Sequence, residues 1–163
     1  YLIGRDVNVF GNMQAFRWLF VSANFSVGPA IFYGETNHFQ GRSQSLSVGT
    51  TIQPSQHFSQ GFDFFRTRFW RPSSGEQIYA INIVNARTTY QFDKHFLVRV
   101  LARYDSSQRR LLTDFLASYE FVPGTVAHVG YGALFEKGYD DASSDLRQIN
   151  RGLFLKASYL RRF

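Results

Sequence analysis

The side chains able to do chemistry crowd into residues 111–136, where Asp114, Ser118, Glu120 and His128 fall close together. A serine hydroxyl held by an imidazole, itself oriented by a carboxylate, is the arrangement of serine hydrolases. Whether these residues meet depends on the turn between them. If 123–125 is a three-residue hairpin loop, Val122 faces Val126 and Glu120 faces His128. Ser118 then sits opposite Gly130, two rungs from His128, and nothing marks an oxyanion hole. The favoured reading is a hydrogen-bonded set lining a polar interior, and no residue is assigned a catalytic role. A barrel enzyme hydrolysing lipid or glycan at the His128 region is the alternative.

A second set is basic. Arg87, Arg99 and Arg103 fall on the same parity of adjacent strands as the acids above, and Lys156 shares it on the last strand. Such a cluster biases a pore towards anions or acidic sugars. The competing use is pairing with Asp114, Glu120 and other interior acids to fill the lumen. The candidates for a polar lumen are therefore Arg87, Arg99, Arg103, Asp114, Glu120, His128 and Lys156. Asp140, Asp141 and Asp145 lack the regular spacing of a calcium loop, so a solvated loop and no metal are expected. Cysteine is absent, which removes disulfides and thiolate sites. No glycine-rich phosphate loop follows a strand and opens a helix, and no cofactor is expected.

These residues need strands to position them. Over 111–122 the odd positions are Leu111, Thr113, Phe115, Ala117, Tyr119 and Phe121, and the even ones are Leu112, Asp114, Leu116, Ser118, Glu120 and Val122. A two-residue period sends these sets to opposite faces of a strand. The same alternation resumes after Pro123-Gly124-Thr125 and predicts strands over 7–15, 19–27 and beyond, 42–53, 58–70, 77–92, 96–104, 111–122, 126–136 and 151–163. The parity of the aromatics slips in 58–70, which predicts a bulge near Phe64, and again in 77–92. Reversals near Trp18, Ser55, Lys94 and Gly124 read as tight, and those near Asn37, Ser74, Ser107 and Ser143 as longer and more polar.

Residues 18–34 carry no charge and are nearly long enough for a membrane-crossing helix. A helix would scatter Ser22, Asn24 and Ser26 around its circumference, whereas a strand gathers them on one face. The expected fold is all-β: an antiparallel transmembrane β-barrel, built as a meander of about nine strands in one domain spanning 1–163. Its membrane-facing aromatics are Phe96, Tyr104, Phe115, Tyr119, Phe121, Tyr131, Phe135 and Tyr159. Short turns belong to the periplasmic side of a bacterial outer membrane, which places the C-terminus in the periplasm. An odd strand count and a start at Tyr1 without a visible signal peptide lead to the expectation of a C-terminal piece of a larger barrel.

With 163 residues, 18% aromatics and a net charge of +6, the totals agree with one β-rich domain. Arginines are dispersed and no basic run exceeds a pair, so no nucleic-acid partner is expected. A soluble ligand-binding β-barrel remains a further alternative. Strands of ten or more residues match a tilted membrane crossing better than the five or six usual in globular proteins.

The last strand alternates Leu153, Leu155, Ala157, Tyr159 and Phe163, with Arg161 as the exception. A terminal Phe after alternate apolar residues, here Tyr159 and Phe163, resembles the insertion signal read by the barrel-assembly machinery. The stretches Asn85-Ala86-Arg87-Thr88-Thr89-Tyr90-Gln91-Phe92, Leu111-Leu112-Thr113-Asp114-Phe115-Leu116-Ala117-Ser118, Val122-Pro123-Gly124-Thr125 and Phe154-Leu155-Lys156-Ala157-Ser158-Tyr159-Leu160 carry a wider resemblance. They are similar to the C-terminal barrel of a family of large, mostly uncharacterised bacterial outer-membrane proteins with an N-terminal sandwich like carbohydrate-binding modules. The resemblance implies an outer-membrane lipid environment and a glycan or other small solute as partner. The implied function is a passive or transport-associated channel, or the anchor of a glycan-handling surface protein. It supplies no catalytic residues.

Overall fold

The structure is a computed structural model describing residues 4–33, 38–138 and 146–159. Strands β1 (Val7–Phe16), β2 (Leu19–Tyr33), β3 (His38–Ile52), β4 (Phe58–Trp70), β5 (Gln77–Gln91), β6 (Phe96–Asp105), β7 (Arg110–Val122), β8 (Thr125–Lys137) and β9 (Leu146–Ser158) follow one another. Each pairs antiparallel with the next in a nine-stranded meander. β1 and β9 do not pair with each other, so the sheet is not closed. No helix occurs among the described residues.

Register fixes which side chains share a face. One continuous row runs Ala23, Val48, Phe64, Val84, Tyr104, Leu111 and Phe135, each the cross-strand partner of the one before. Because partners in an antiparallel ladder point the same way, the whole apolar set lies on one side. The opposite side carries Ser22, Asn24, Ser45, Ser47, Asp63, Arg99 and Asp114. Its short polar side chains hold each other: Ser45 and Thr67 hydroxyls lie 3.2 Å apart, and Asn24 donates to Asn8 Oδ1 at 3.3 Å. On the apolar face the polar pair Gln60 and Thr88 is bonded to itself, with Thr88 Oγ1 donating to Gln60 Oε1.

Neither face is packed against another layer. Phe69 and Ala133 are the buried hydrophobic residues among those described, at 1% and 4% exposure. On the apolar face Phe115, Val129 and Leu155 are 41%, 42% and 73% exposed. Phe69 is buried because the polar face turns aromatic beside the longer loops. Its ring meets Phe32 at 5.8 Å, Phe39 at 6.1 Å and Tyr79 at 5.5 Å between centroids. Gly41 leaves the space this ring occupies: a Cβ there would run into the Phe69 ring and stand 2.6 Å from the Trp70 carbonyl oxygen. The Arg71 guanidinium covers the Phe39 ring at 4.4 Å.

That cluster corrects two sequence expectations. No bulge occurs at Phe64, and β5 does not slip near Ile83; both ladders run in register there, and the irregularity lies at Phe69/Trp70. The aromatic and aliphatic side chains change parity because Phe65, Phe69, Tyr79, Ile81 and Ile83 belong to the polar face. The last strand also starts earlier than expected, at Leu146, because Leu146 and Gln148 pair with Lys137 and Phe135 across an irregularity at Leu134/Phe135. The contrast in loop length is weaker than expected, since 106–109 is no longer than 92–95. Asp93 closes the latter connection, its Oδ1 accepting from the His95 and Phe96 N–H groups at 2.7 and 2.8 Å. Those two backbone donors hold its carboxyl below the usual carboxylate range. Asp140, Asp141, Asp145 and Phe163 lie outside the described residues.

Candidate functional site

The turn joining β7 to β8 decides the first site. It is a two-residue turn, Pro123-Gly124, because Val122 pairs with Thr125. Proline sets φ at the first central position, and Gly124 takes φ +91° at the second, the requirement of a type II turn. The ladder then slips between Glu120 and Val122, which leaves Phe121 as an extra residue on β7. Beyond that bulge Glu120 faces Val126, and Ser118 faces His128 directly. The expected facing of Glu120 with His128 and of Ser118 with Gly130 is thereby overturned.

Ser118 Oγ and His128 Nδ1 are 2.8 Å apart, and Ser118 is 8% exposed. Glu120 is occupied elsewhere: its Oε1 accepts the Gly124 N–H at 3.1 Å and so pins the turn. His128 has Lys156 on its other side, across the ladder to β9. The pair is therefore a hydroxyl–imidazole contact whose nearest cross-strand neighbour is a cation rather than an orienting carboxylate. It borders a cavity of about 250 Å³ that also touches Lys94, His95 and Glu120.

A second cavity, about 280 Å³, lies on the same face between β3 and β6. Arg87 and Arg99 flank it, Thr51, Ser59 and Thr89 supply hydroxyls, and Gly61 leaves the floor open. Both arginines are exposed. The ion pairs among the described residues are Arg71–Glu76 at 3.2 Å and Arg110–Glu136 at 3.5 Å, so neither Arg87, Arg99 nor Arg103 is neutralised by Asp114 or Glu120. Two guanidiniums without a carboxylate partner, beside hydroxyl donors, have the hydrogen-bonding chemistry that suits an anionic group.

All seven lumen candidates, Arg87, Arg99, Arg103, Asp114, Glu120, His128 and Lys156, share the polar face. They do not form one site. Asp114 packs over Gly132, where a Cβ would meet its Oδ1 at 2.7 Å, and Arg103 borders a separate cavity with Asp105 and Arg110. Phe96, Tyr104, Phe115, Tyr119, Tyr131 and Phe135 all lie on the apolar face. Phe121 stacks edge-on with Tyr119 at 4.9 Å, and Tyr159 is 75% exposed. Tyr90, Phe92, Phe96, Tyr119 and Phe121 form a chain of ring contacts beside the tight turns.

Sequence reasoning missed the aromatic set around Phe69, and the hydroxyls of Thr51 and Ser59 beside Arg87. The first was signalled by aromatics on both parities of β4. The second has no local signal, since it depends on the register across three ladders. Comparison with protein-family models, curated proteins and solved structures finds no match.

Proposed function

We propose that this sheet is a wall of an outer-membrane β-barrel that passes or binds a small anionic or acidic solute. One observation carries the reading. The part of the apolar face formed by Val100, Phe115, Tyr119, Val129 and Leu155 is uncharged and exposed with no protein layer over it, while Arg87, Arg99, Arg103, Asp114, Glu120, His128 and Lys156 all lie on the opposite face. Exposed apolar area of that extent needs an apolar medium or a partner, and alternate strands that separate lipid from water are the pattern of transmembrane barrels. Lipid also tolerates no open edge, so the reading requires further strands against β1 and β9. In this arrangement the tight turns and the C-terminal strand face the periplasm, and that strand is what the assembly machinery recognises. A glycan as the solute rests on the family resemblance and on the acidic-sugar chemistry that Arg87 and Arg99 would accept.

The absence of cysteine from the sequence makes the test direct. Single cysteines placed at Thr89, Arg99, Val100 and Val129 in the full chain, in native membranes, report the medium at each face. A water-soluble maleimide is expected to label the Thr89 and Arg99 positions at least about tenfold faster than Val100 and Val129. Equal rates at the adjacent positions 99 and 100 would sink the proposal.

The 2.8 Å contact between Ser118 and His128 supports a second reading, hydrolysis of a lipid or glycan ester at the smaller cavity. If it holds, Ser118→Ala and His128→Ala each lower turnover by about a thousandfold or more without altering maleimide labelling. Unchanged turnover in either variant returns the pair to a purely structural role.

A further inference from the structure

The apolar face is not uniform along the strands. Within the strands, every described carboxylate (Asp63, Asp105, Asp114, Glu120 and Glu136) is on the polar face. The apolar face nonetheless carries cations, namely Arg42, Arg66, Arg68, Lys137 and Arg151, all in the half towards the longer loops. Its other half, from Leu19, Ile52 and Phe58 across to Tyr119 and Ala127, holds no charge. Arg42 and Arg68 lie about ten residues along their strands from Ile52 and Phe58. At roughly 3.4 Å per residue and a tilt of about 40°, that is a rise of roughly 25 Å, the height of the apolar band of a membrane barrel.

Arg66 and Arg68 point from the same face of β4, about 7 Å apart. Their cross-strand neighbours are Leu46 and Gln44 on one side and Asn82 and Ala80 on the other. None of these is acidic. The Nε atoms of both arginines are buried without a hydrogen-bond partner among the described residues. Phe25, Gln44 and Leu46 complete a groove of about 140 Å³ around the two side chains. Two like charges held side by side, with unused donors and an apolar wall below, lack an anion that also has an apolar body.

We infer that Arg66 and Arg68, with Arg42 beside them, clamp the phosphate of an anionic lipid headgroup at the long-loop boundary of the bilayer, with Phe25 and Leu46 against the start of its acyl chains. The inference rests on the membrane reading above. Guanidinium pairs bind phosphate by parallel N–H donors, and a headgroup brings charge and apolar tail in the order the groove presents them. Lys137 stands on the same face at the long-loop end of β8, and Arg151 lies nearer the middle of β9.

The test uses the full chain in phosphatidylcholine vesicles containing spin-labelled phosphatidic acid or spin-labelled phosphatidylcholine. The fraction of motionally restricted lipid reports association. Wild type is expected to prefer phosphatidic acid about fivefold or more; the preference falls to about one in the Arg66→Gln/Arg68→Gln variant and to an intermediate value in Arg66→Lys/Arg68→Lys, which keeps the charge and loses the parallel donors. A Gln variant that keeps the preference overturns the clamp. Loss of the preference in inorganic phosphate, against chloride of equal ionic strength, also overturns it, because the occupant is then free phosphate. Restricted lipid of neither type removes the membrane reading itself.

Discussion

Replacing Phe69 with alanine is expected to destabilise the sheet by about 3–5 kcal/mol, the largest loss from any single side chain here. Phe69 is 1% exposed and touches three aromatic rings, so truncation leaves a void that neighbouring strands cannot close without breaking their ladders. The same packing can be attacked from its other side. Gly41→Val places side-chain atoms where the Phe69 ring and the Trp70 carbonyl already are, and backbone on one side leaves the clash no way to relax. By contrast, Phe115→Ala removes an equal ring that is 41% exposed and faces no protein layer, and the surrounding medium fills its volume. Denaturant unfolding followed by tryptophan fluorescence checks the set, with Trp70 beside the cluster as reporter. A loss below about 1 kcal/mol for Phe69→Ala would show that this cluster does not hold β2 to β5 together.

The contrast between these two phenylalanines also shows what the sequence makes legible. Phe115 announces its face because Leu111, Ala117 and Tyr119 share its two-residue spacing while Asp114, Ser118 and Glu120 fall on the other parity, which is a local property. All nine strands and the sharing of faces by the acids and bases follow from that period. Phe69 is invisible to it: its face carries most of the polar and charged side chains, and its aromatic rings gather into a cluster only where β2 to β5 run beyond their neighbours. The mixed parity of Phe64 and Phe65 therefore imitates a bulge without being one. The bulge that does decide chemistry, at Phe121, has no signature in its own parity. The two-residue turn at Pro123-Gly124 moves the register by one position and the extra residue Phe121 moves it by another, and together they shift His128 from Glu120 to Ser118. Register is set between strands, so a single-residue ambiguity in a turn changes every pair above it. The arginines at 66 and 68 were equally hidden, since charge on an apolar parity reads as noise until the register places Arg42, Arg66 and Arg68 on one face towards the same end of β3 and β4.

Charge reversal at the larger cavity is expected to give the largest functional change. Arg87 and Arg99 flank it with no carboxylate ion-paired to them among the described residues, so on the proposed channel reading they would set the sign of the potential met by a permeating ion. Arg87→Glu/Arg99→Glu in the full chain replaces two cations by two anions on a surface lined otherwise by hydroxyls. Reversal potentials across a planar bilayer under a KCl gradient are expected to change sign, from anion to cation preference, with each single variant falling between. The effect belongs to screened charges at a wet surface: the Debye length shrinks from about 10 Å at 0.1 M salt to about 3 Å at 1 M, and the difference between variants shrinks with it. Arg66→Glu/Arg68→Glu supplies the control, because the same change of charge on the opposite face of the sheet leaves the lumen potential in place. If the reversal potential ignores Arg87 and Arg99 yet follows Arg66 and Arg68, the two faces have been assigned the wrong way round, and solute and lipid exchange sides.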